Sequence, residues 1–527
     1  MSRARVKFPL RESLRPGVPG WTGSSGVTAV RALDSSPQHA RRHPSACEIH
    51  SPAAIMSCII CFLPVWVFCL VPLMRSQSCW TGQMKSARRP LLSNKPLLLA
   101  WNAPTEDCRP RHKVIFNLEQ FEITASPNEG FVGQNLTIFY KDRLGLYPYY
   151  EKDQTAVNGG LPQLSSLQDH LQKIPNGVNK YIRDRDAKGL AVIDWEEWRP
   201  LWIRNWDSKD VYRNVSRVLV SSKNPRYTKE AVNRVAQQEF ELSAKNFMLC
   251  TLKEAKHLRP NQLWGFYLFP DCYNHDYKNS LENYTGRCPD VEVSRNDQLA
   301  WLWEESTALY PSIYMGTVLR SSGFGRQFVR NRVKEAMRLA SVGDGPARPV
   351  FVYARPTYTN EMTLLTEFDL VSTIGESVSL GAAGIIFWGD STYASSNASC
   401  TKLKDYLQGA LGRYLLNVST AAEWCSRERC SSNGRCMRKN PNEDAYLHLN
   451  PASFTILQKG GSLKVHGQLS AGDRDTFQRQ FCCHCYTGYK EDSCTQTETG
   501  QRWGHSPGLR TTVTSLLPSL GLLWLLF

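Results

Sequence analysis

The sequence lacks the motifs that mark several large enzyme classes. Its 527 residues contain no His-Glu-x-x-His zinc helix, no phosphate-binding glycine loop and no Gly-x-Ser-x-Gly nucleophile elbow. No internal repeat is present, and charged residues make up 21% of the chain against 42% hydrophobic ones. This balance excludes wholesale disorder and a polytopic membrane protein, while the length indicates two or three folded units.

Acidic residues are scarce in the first 100 positions. Glu12, Asp34 and Glu48 stand there against thirteen Lys and Arg residues, so this region carries +10 of the formal net charge of +15. Residues 1–53 are rich in Arg, Ser, Pro and Gly, and we predict a disordered basic arm, which a start at Met56 would omit from the protein. The remaining +5 gives no reason to expect nucleic acid as a partner.

Both ends of the sequence indicate export. Residues 54–78 are apolar enough for a signal peptide or an uncleaved signal anchor, and Pro64 and Pro72 favour the signal peptide. Residues 497–527 combine a polar spacer, the small residue Gly504 and a 14-residue greasy terminus, which is typical of a GPI-anchor signal. The alternative is a disordered or helical tail.

Five Asn-x-Ser/Thr sequons agree with the secretory route. They lie at Asn135, Asn214, Asn283, Asn397 and Asn417. We therefore predict a glycoprotein held at the cell surface by a GPI anchor in the membrane, with lysosomes or other acidic vesicles as a second location.

The middle of the chain alternates short apolar runs with amphipathic helical patterns. The predicted strands are Leu97–Trp101, Leu136–Tyr140, Leu190–Trp195, Leu263–Phe269, Ser312–Gly316, Val350–Ala354 and Ala383–Trp388. The helical patterns include Lys229–Leu258, Asp297–Leu309 and Gln327–Ser341. Nearly continuous apolar strands are covered on both faces, so seven βα units predict a distorted TIM-like α/β barrel over residues 96–420.

A cysteine-rich segment follows at residues 421–496. Its cysteines are Cys425, Cys430, Cys436, Cys482, Cys483, Cys485 and Cys494. The final Cys-x-Cys-x8-Cys spacing, with Gly488 before the last cysteine, predicts an EGF-like disulfide module. Zinc is the alternative, but the spacings do not supply two close pairs of ligands. We expect no metal and no cofactor.

Two carboxylates follow the third apolar run. Asp194 and Glu196 are two residues apart, so on a strand they would face the same side and separate each other's pKa values. Two carboxylates on one strand do not straddle a sugar as a double-displacement pair would. They suit a substrate-assisted mechanism, in which Glu196 protonates the leaving oxygen and Asp194 orients a 2-acetamido group. The alternative is a structural ion pair, for instance with Arg199, but the buried run before it and Trp195 and Trp198 as walls favour catalysis.

Polar aromatic residues recur at the ends of other predicted strands. They are Tyr140, Tyr267, Tyr273, Tyr314 and Trp388, with Asp271 beside them. The blocks 194–200, 264–274, 296–303, 310–314 and 381–388 are similar to those of the animal hyaluronidases, glycoside hydrolase family 56. The similarity extends from about Leu97 to Cys494, and the tail makes the chain most similar to the glycolipid-anchored branch of the family.

The resemblance implies a retaining endo-β-N-acetylhexosaminidase, a hyaluronoglucosaminidase that cuts β-1,4 bonds of hyaluronan. It implies that Glu196 is the proton donor and that Asp194 and Tyr267 hold the acetamido group. The implied groove residues are Tyr140, Arg199, Asp271, Tyr273, Tyr314, Arg332 and Trp388, and Arg199 and Arg332 would complement the carboxylates of the polymer. The implied disulfides are Cys108–Cys400, Cys272–Cys288, Cys425–Cys436, Cys430–Cys483 and Cys485–Cys494.

Two cysteines depart from the family pattern. Cys482 stands directly beside Cys483 and leaves the partner of Cys430 ambiguous, while Cys250 has no family counterpart and is expected to be a buried free thiol. Two other functions stay open: a GPI-anchored hyaluronan-binding receptor with little or no turnover, and a hydrolase that prefers chondroitin. The sequence does not decide which protein co-receptors, if any, bind the chain.

Overall fold

The structure is a computed structural model that describes residues 85–497, apart from residues 94, 126–134 and 461. The predicted basic arm, the signal segment and the anchor signal with Gly504 therefore lie outside the described residues, except for Thr497 at the start of the spacer. No helix within the described ranges is both long and apolar enough to cross a bilayer.

Fifteen strands lie within the described residues. They are Leu98–Trp101 (β1), Ile123–Ala125 (β2), Leu136–Phe139 (β3), Tyr149–Tyr150 (β4), Ala156–Val157 (β5), Gly189–Ile193 (β6), Gln262–Phe266 (β7), Phe351–Ala354 (β8), Gly384–Phe387 (β9), Gly434–Arg438 (β10), Phe454–Lys459 (β11), Ser462–Gly467 (β12), Phe481–Cys485 (β13), Tyr489–Lys490 (β14) and Gln496–Thr497 (β15).

Eleven α-helices accompany these strands in the same part of the chain. They are Leu167–Tyr181 (α1), Asp210–Lys223 (α2), Lys229–Leu258 (α3), Asp290–Asp297 (α4), Ala300–Glu305 (α5), Gly323–Leu339 (α6), Glu367–Leu370 (α7), Glu376–Ser379 (α8), Asn397–Tyr406 (α9), Gly412–Cys430 (α10) and Ala471–Gln480 (α11). Side-chain caps begin several of them; Thr228, for example, accepts from the N–H of Ala231 at the start of α3.

The central strands form two parallel sheets, ordered β3-β6-β7 and β2-β1-β9-β8. Parallel bridges through residues 309–312 connect β7 with β8. The mixed α/β fold is thus confirmed, and the parallel order with outer helices is TIM-barrel-like. Among the described residues no pairing joins β3 to β1 or β2, so a closed barrel stays a prediction.

Alternation along the strands divides the core into two layers. One layer gathers residues from each parallel segment except β2: Leu98, Ala100, Leu136, Ile138, Leu190, Val192, Leu263, Ala308, Tyr310, Phe351, Tyr353, Ala383 and Ile386. Their neighbours in sequence, such as Leu99, Phe139 and Ile193, pack outward in the larger cluster that includes the helices. Burial on both faces explains why these strands read as continuous apolar runs.

Two predicted elements differ from the structure. Within residues 312–316 a single bridge joins Ser312 to Tyr353, and Pro311 before it has no N–H to donate to a ladder. The helix predicted at Asp297–Leu309 is shorter in the structure, where α5 covers Ala300–Glu305 and a break separates it from α4, which ends at Asp297. The amide of Asn296, at the end of α4, donates to Asp271 and Glu335, and these tertiary bonds hold the break in place.

The cysteine-rich segment packs directly on the α/β unit. Helix α10 continues through the predicted boundary at 420/421, β10 pairs with β13, and β11 and β12 form a hairpin. An EGF-like module therefore remains a prediction for this segment.

Five disulfides join the pairs that the resemblance implies: Cys108–Cys400, Cys272–Cys288, Cys425–Cys436, Cys430–Cys483 and Cys485–Cys494. Cys430 thus takes Cys483 as its partner rather than Cys482. The expectation of a free thiol at Cys250 is wrong, because Cys250 is disulfide-bonded. Cys482 also takes part in a disulfide. The expectation of a free thiol came from the lack of a family counterpart for Cys250. Cys250 is indeed buried, with 2% exposed, but burial does not distinguish a thiol from half of a disulfide.

Candidate active site

A small cavity lies at the carboxyl ends of the parallel strands. It is lined by Ile138, Asp194, Glu196, Tyr267, Tyr314, Tyr353 and Trp388. Asp194 directly follows β6, Tyr267 follows β7 and Trp388 follows β9. Parallel strands bring their carboxyl ends to one edge, so residues up to 250 positions apart in sequence meet here.

Asp194 lies at the base of this cavity. Its backbone N–H donates to the carbonyl of Phe139 at 2.9 Å, which extends the β3–β6 ladder by one residue. Burial, and then the negative charges of Glu196 and Glu197, raise the pKa of Asp194 to about 8, while Arg199 opposes them. Its Oδ1 atom is buried and has no hydrogen-bond partner among the described residues. A buried acceptor without a donor is costly, and it is suited to receive one from a ligand.

Glu196 lines the same cavity and is far more open to solvent. Its side chain is 51% exposed, and its Oε1 lies 3.8 Å from Nη2 of Arg199. Trp195, between the two carboxylates, is 4% exposed and points into the core, so alternation continues past the end of β6. The two carboxylates therefore differ in environment, because Asp194 is buried and Glu196 lies at the mouth of the cavity.

The proton distribution differs from the expectation. Glu196 was predicted to hold the proton and Asp194 to be the anion, whereas burial favours a protonated Asp194 in the free protein. The negative charge of Glu196 adds to the rise in the pKa of Asp194, but desolvation is the larger cause.

Trp195 and Trp198 were predicted to be walls of the site, but neither of them lines the cavity. Both are buried and stack on Tyr147, with ring centroids 4.4 and 5.2 Å apart. The indole N–H of Trp198 also donates to the carbonyl of Pro148. These indoles are hydrophobic enough to join the core, and there they support the loop that carries the carboxylates.

Aromatic side chains form the other wall. The rings of Tyr267 and Tyr314 lie 6.3 Å apart, and burial raises the pKa of both hydroxyls. The Tyr314 ring stacks on Trp388 at 5.8 Å with 14° between the planes. Tyr140 packs against the same layer of the core, and burial raises the pKa of its hydroxyl. The hydroxyls of Tyr267 and Tyr314 therefore stay neutral, and able to donate a hydrogen bond, at any physiological pH.

Asp271 and Arg332 form a buried pair near the groove. Arg332 donates to Asp271 at 2.6 Å and to the carbonyl of Ser312 at 2.9 Å, and it is 6% exposed. Burial alone would raise the pKa of Asp271, but Arg332 and the backbone N–H of Tyr273 lower it below its usual value. The structure thus places Arg332 behind Asp271 instead of in the open groove, because a buried carboxylate needs a cation.

Arg199 is buried beneath Glu196. Its Nη1 donates to the Glu196 carbonyl at 2.9 Å, its side chain contacts Tyr273, and its backbone is bracketed by Asn205. The amide of Asn205, which is fully buried, bonds both the N–H and the carbonyl of Arg199. Arg199 is therefore a support for Glu196 more than an exposed contact.

Three groove residues were not predicted from the sequence. Tyr353 and Arg355 lie at the end of β8, where the rule for strand ends applies, and the Arg355 guanidinium lies 5.6 Å from the Trp388 ring. Lys209 lies in the loop after the Asp194 block, and its Nζ donates to the Glu196 carbonyl at 2.5 Å. The only sign of Lys209 in the sequence was its position shortly after the block that contains Asp194 and Glu196.

The predicted glycosylation sites differ in access. Asn135, Asn214, Asn283 and Asn397 are exposed. Asn417 is half-buried within α10, and its amide oxygen accepts from the N–H of Leu449 at 3.0 Å. Four sites are thus open to a glycan, and the fifth is already used in packing.

Comparisons with known proteins identify the family of the chain. The family model described as Hyaluronidase matches residues 86–498. Hyaluronidase-2 of Mus musculus is 51% identical over 426 residues, 80% of this chain and 90% of that protein. Hyaluronidase-1 of Bitis arietans is 45% identical over 435 residues, 82% of this chain and 97% of that protein. Among solved structures, bee venom hyaluronidase in complex with hyaluronic acid tetramer is 32% identical with a TM-score of 0.55, covering 60% of this chain and 98% of that one. The chain therefore belongs to the hyaluronidase family and is a glycoside hydrolase.

Proposed function

We propose that this protein is an endo-β-N-acetylhexosaminidase that hydrolyses the β-1,4 bonds of hyaluronan with retention of configuration. The observation that carries the proposal is the unpaired, buried Oδ1 of Asp194 at the base of a cavity walled by Tyr267, Tyr314 and Trp388. The N–H of a 2-acetamido group supplies the missing donor, and aromatic faces suit a sugar ring. The solved relative that holds a hyaluronic acid tetramer supports hyaluronan as the substrate.

The nucleophile in this mechanism is the substrate's own acetamido oxygen. It attacks the anomeric carbon as the glycosidic bond breaks, and Glu196 gives a proton to the departing oxygen. The intermediate is a cyclic oxazolinium ion, and Asp194 and Tyr267 hold its acetamido atoms. Glu196 then takes a proton from water, which opens the ring from the face the leaving group left. Two inversions give net retention, with no bond to the enzyme.

The position of the proton follows from the two environments. In the free protein the pair keeps its proton up to about pH 8, on Asp194. When an acetamido N–H reaches Oδ1, the added hydrogen bond favours the ionised form of Asp194. The proton that leaves Asp194 is then available to Glu196. Because Glu196 is half-exposed at the mouth of the cavity, it can reach the glycosidic oxygen.

The test compares Glu196→Gln with the parent on long hyaluronan, by product size and new reducing ends. The variant keeps the shape of the carboxyl but has no proton to give, so we expect turnover to fall at least ~100-fold while hyaluronan binding is retained. Glu230→Gln, an exposed change at the start of α3, serves as the control and keeps full rate. Near-full turnover in Glu196→Gln would show that another group is the acid.

The competing functions give different results in the same assay. A receptor would bind hyaluronan without shortening it at any pH, in the parent as in the variant. A chondroitin-preferring hydrolase would shorten chondroitin faster than hyaluronan. The buried carboxyl of Asp194 beside Glu196 supports the hydrolase, since a binding protein gains nothing from a carboxyl that desolvation keeps protonated.

We also propose that the protein acts outside the cytosol, at the cell surface or in acidic vesicles. The disulfides of the described residues and the exposed sequons support this location, because disulfides persist in oxidising compartments. The GPI anchor at Gly504 and the signal segment remain proposals from the sequence.

A further inference from the structure

The cations predicted to meet the carboxylates of the polymer are already engaged. Arg332 is bonded to Asp271, and Arg199 lies beneath Glu196 with 9% of its side chain exposed. Neither arginine can turn toward a ligand without leaving a buried partner unpaired. Charge complementarity with an acidic polymer therefore depends on another cation.

Two other groove cations are also paired. Arg355 is bonded to Asp390, and Lys141 lies 3.4 Å from Glu197 and over the Tyr149 ring at 4.0 Å. Each of these charges is locally neutralised by a carboxylate. A further anion would gain little from either of them.

Lys209 is different. It ends a single helical turn, Asp207–Lys209, immediately before α2, and it is only partly exposed. Its ammonium donates to the carbonyl oxygen of Glu196, and among the described residues it is in no ion pair. Burial and the positive charge of Arg199 lower the pKa of Lys209, and the carboxylates of Glu196 and Glu197 offset them only in part, so the charged form of Lys209 is disfavoured in the free protein. An anion placed beside it would relieve that cost.

The position of Lys209 relative to the acid defines the subsite. It does not line the cavity of Asp194 and the tyrosines, and it contacts Glu196 directly. The proton donor stands over the glycosidic oxygen, with the acetamido sugar on the cavity side and the leaving sugar on the other. Trp206, at the start of the same turn, is 39% exposed and meets the Tyr273 ring edge-on at 5.4 Å, which adds an aromatic surface there.

The geometry points to Lys209 as the residue that binds the carboxylate of the uronic acid on the leaving-group side of the scissile bond. This inference rests on the proposed function. In an alternating polymer of acetamido sugar and uronic acid, cleavage at the acetamido sugar makes the next sugar a uronic acid. Lys209 would then select where the enzyme cuts, because one charge-assisted hydrogen bond is gained only when that carboxylate is present.

The test uses hyaluronan in which about half of the glucuronate carboxyls have been reduced to primary alcohols. The leaving sugar becomes the new non-reducing end of each product, so mass spectrometry reads whether it was glucuronate or glucose. We expect the parent to give about ten glucuronate ends for each glucose end, against about one to one in the polymer. Lys209→Met should lose the enrichment, and Lys209→Arg should keep most of it. Lys173→Met, an exposed change on α1, is the control and should match the parent.

The outcomes are separable. An enrichment unchanged in Lys209→Met, or absent from the parent, would overturn the role of Lys209 while leaving hydrolysis intact. A uniform loss of rate in Lys209→Met with the enrichment preserved would mean that Lys209 only supports the Glu196 loop, which also contradicts the inference. The parent measurement needs no variant to fold. A parent that produces no fragments at all would overturn the proposed function, and the inference with it.

Discussion

The carboxyl of Asp194 is held in a setting that favours its neutral form. Its pKa of about 8 in the folded protein, against about 3.9 in an unfolded chain, means that the folded state binds more protons between these values. Stability from this group is fully present below about pH 4 and is lost as the pH rises through about 8. A deeply placed acid thus makes the resting enzyme less stable in alkali.

Asp194→Asn removes this dependence. Relative to the parent, the variant should gain more than about 1.4 kcal/mol of unfolding free energy between pH 5 and pH 8.5, the equivalent of one pKa unit. Urea unfolding at a series of pH values measures the difference. Buried histidines such as His170 titrate alike in both proteins and cancel.

Glu196→Gln is the matched control for this series. It removes one of the charges that raise the pKa of Asp194, so its loss of stability should begin at a lower pH than in the parent. If the unfolding free energies of the parent and of Asp194→Asn change in parallel from pH 5 to 8.5, the proton is not on Asp194.

At the scale of elements, the sequence predicted the strands more reliably than the contacts. Strands β1, β3, β8 and β9 lie within a residue of the predicted runs, since burial on both faces produces an unbroken apolar signal. Pro311 and the bonds of Asn296 altered two other elements.

The candidate site shows the same limit at the level of partners. The Asp194 block was visible from its position after a strand and from its resemblance to a family. The sequence could not show that Arg332 binds Asp271 instead of facing the groove. The two residues are 61 positions apart, and only the fold brings them together. The ammonium of Lys209 was missed for the same reason, as its contact with Glu196 depends on a loop turn.

The Cys108–Cys400 disulfide joins two elements that flank neighbouring strands. Cys108 follows β1, Cys400 lies in α9 after β9, and 292 residues separate them. A cross-link across so long a loop restricts the unfolded chain strongly. Replacing both cysteines by serine should cost about 2–5 kcal/mol of unfolding free energy, measured by urea unfolding under non-reducing conditions.

The same change should also lower turnover, since Trp388 lies between β9 and α9 and loses part of its support. Replacing Cys485 and Cys494, only 9 residues apart and remote from the cavity, is the comparison. It should cost less stability and leave the rate unchanged. An equal loss from both replacements would argue against loop length as the cause.

At the scale of the whole molecule, the cysteine-rich segment is joined to the α/β unit through buried charge. Glu376 on α8 accepts from Arg330 on α6 at 2.6 Å and from Arg438 on β10. Both Arg438 and Glu376 have fully buried side chains. The two parts of the chain therefore share one buried ion network, and α10 continues from one into the other.

Removing one partner of this network should weaken the whole protein. Arg438→Met leaves Glu376 with Arg330 alone in a buried place, and we expect a loss of about 3 kcal/mol in a single cooperative transition. Adding Glu376→Gln removes the uncompensated charge and should restore part of that loss. Calorimetry of the two variants and the parent measures both effects. If the segment were an independent module, Arg438→Met would instead split the transition in two, with the α/β part melting at the temperature of the parent.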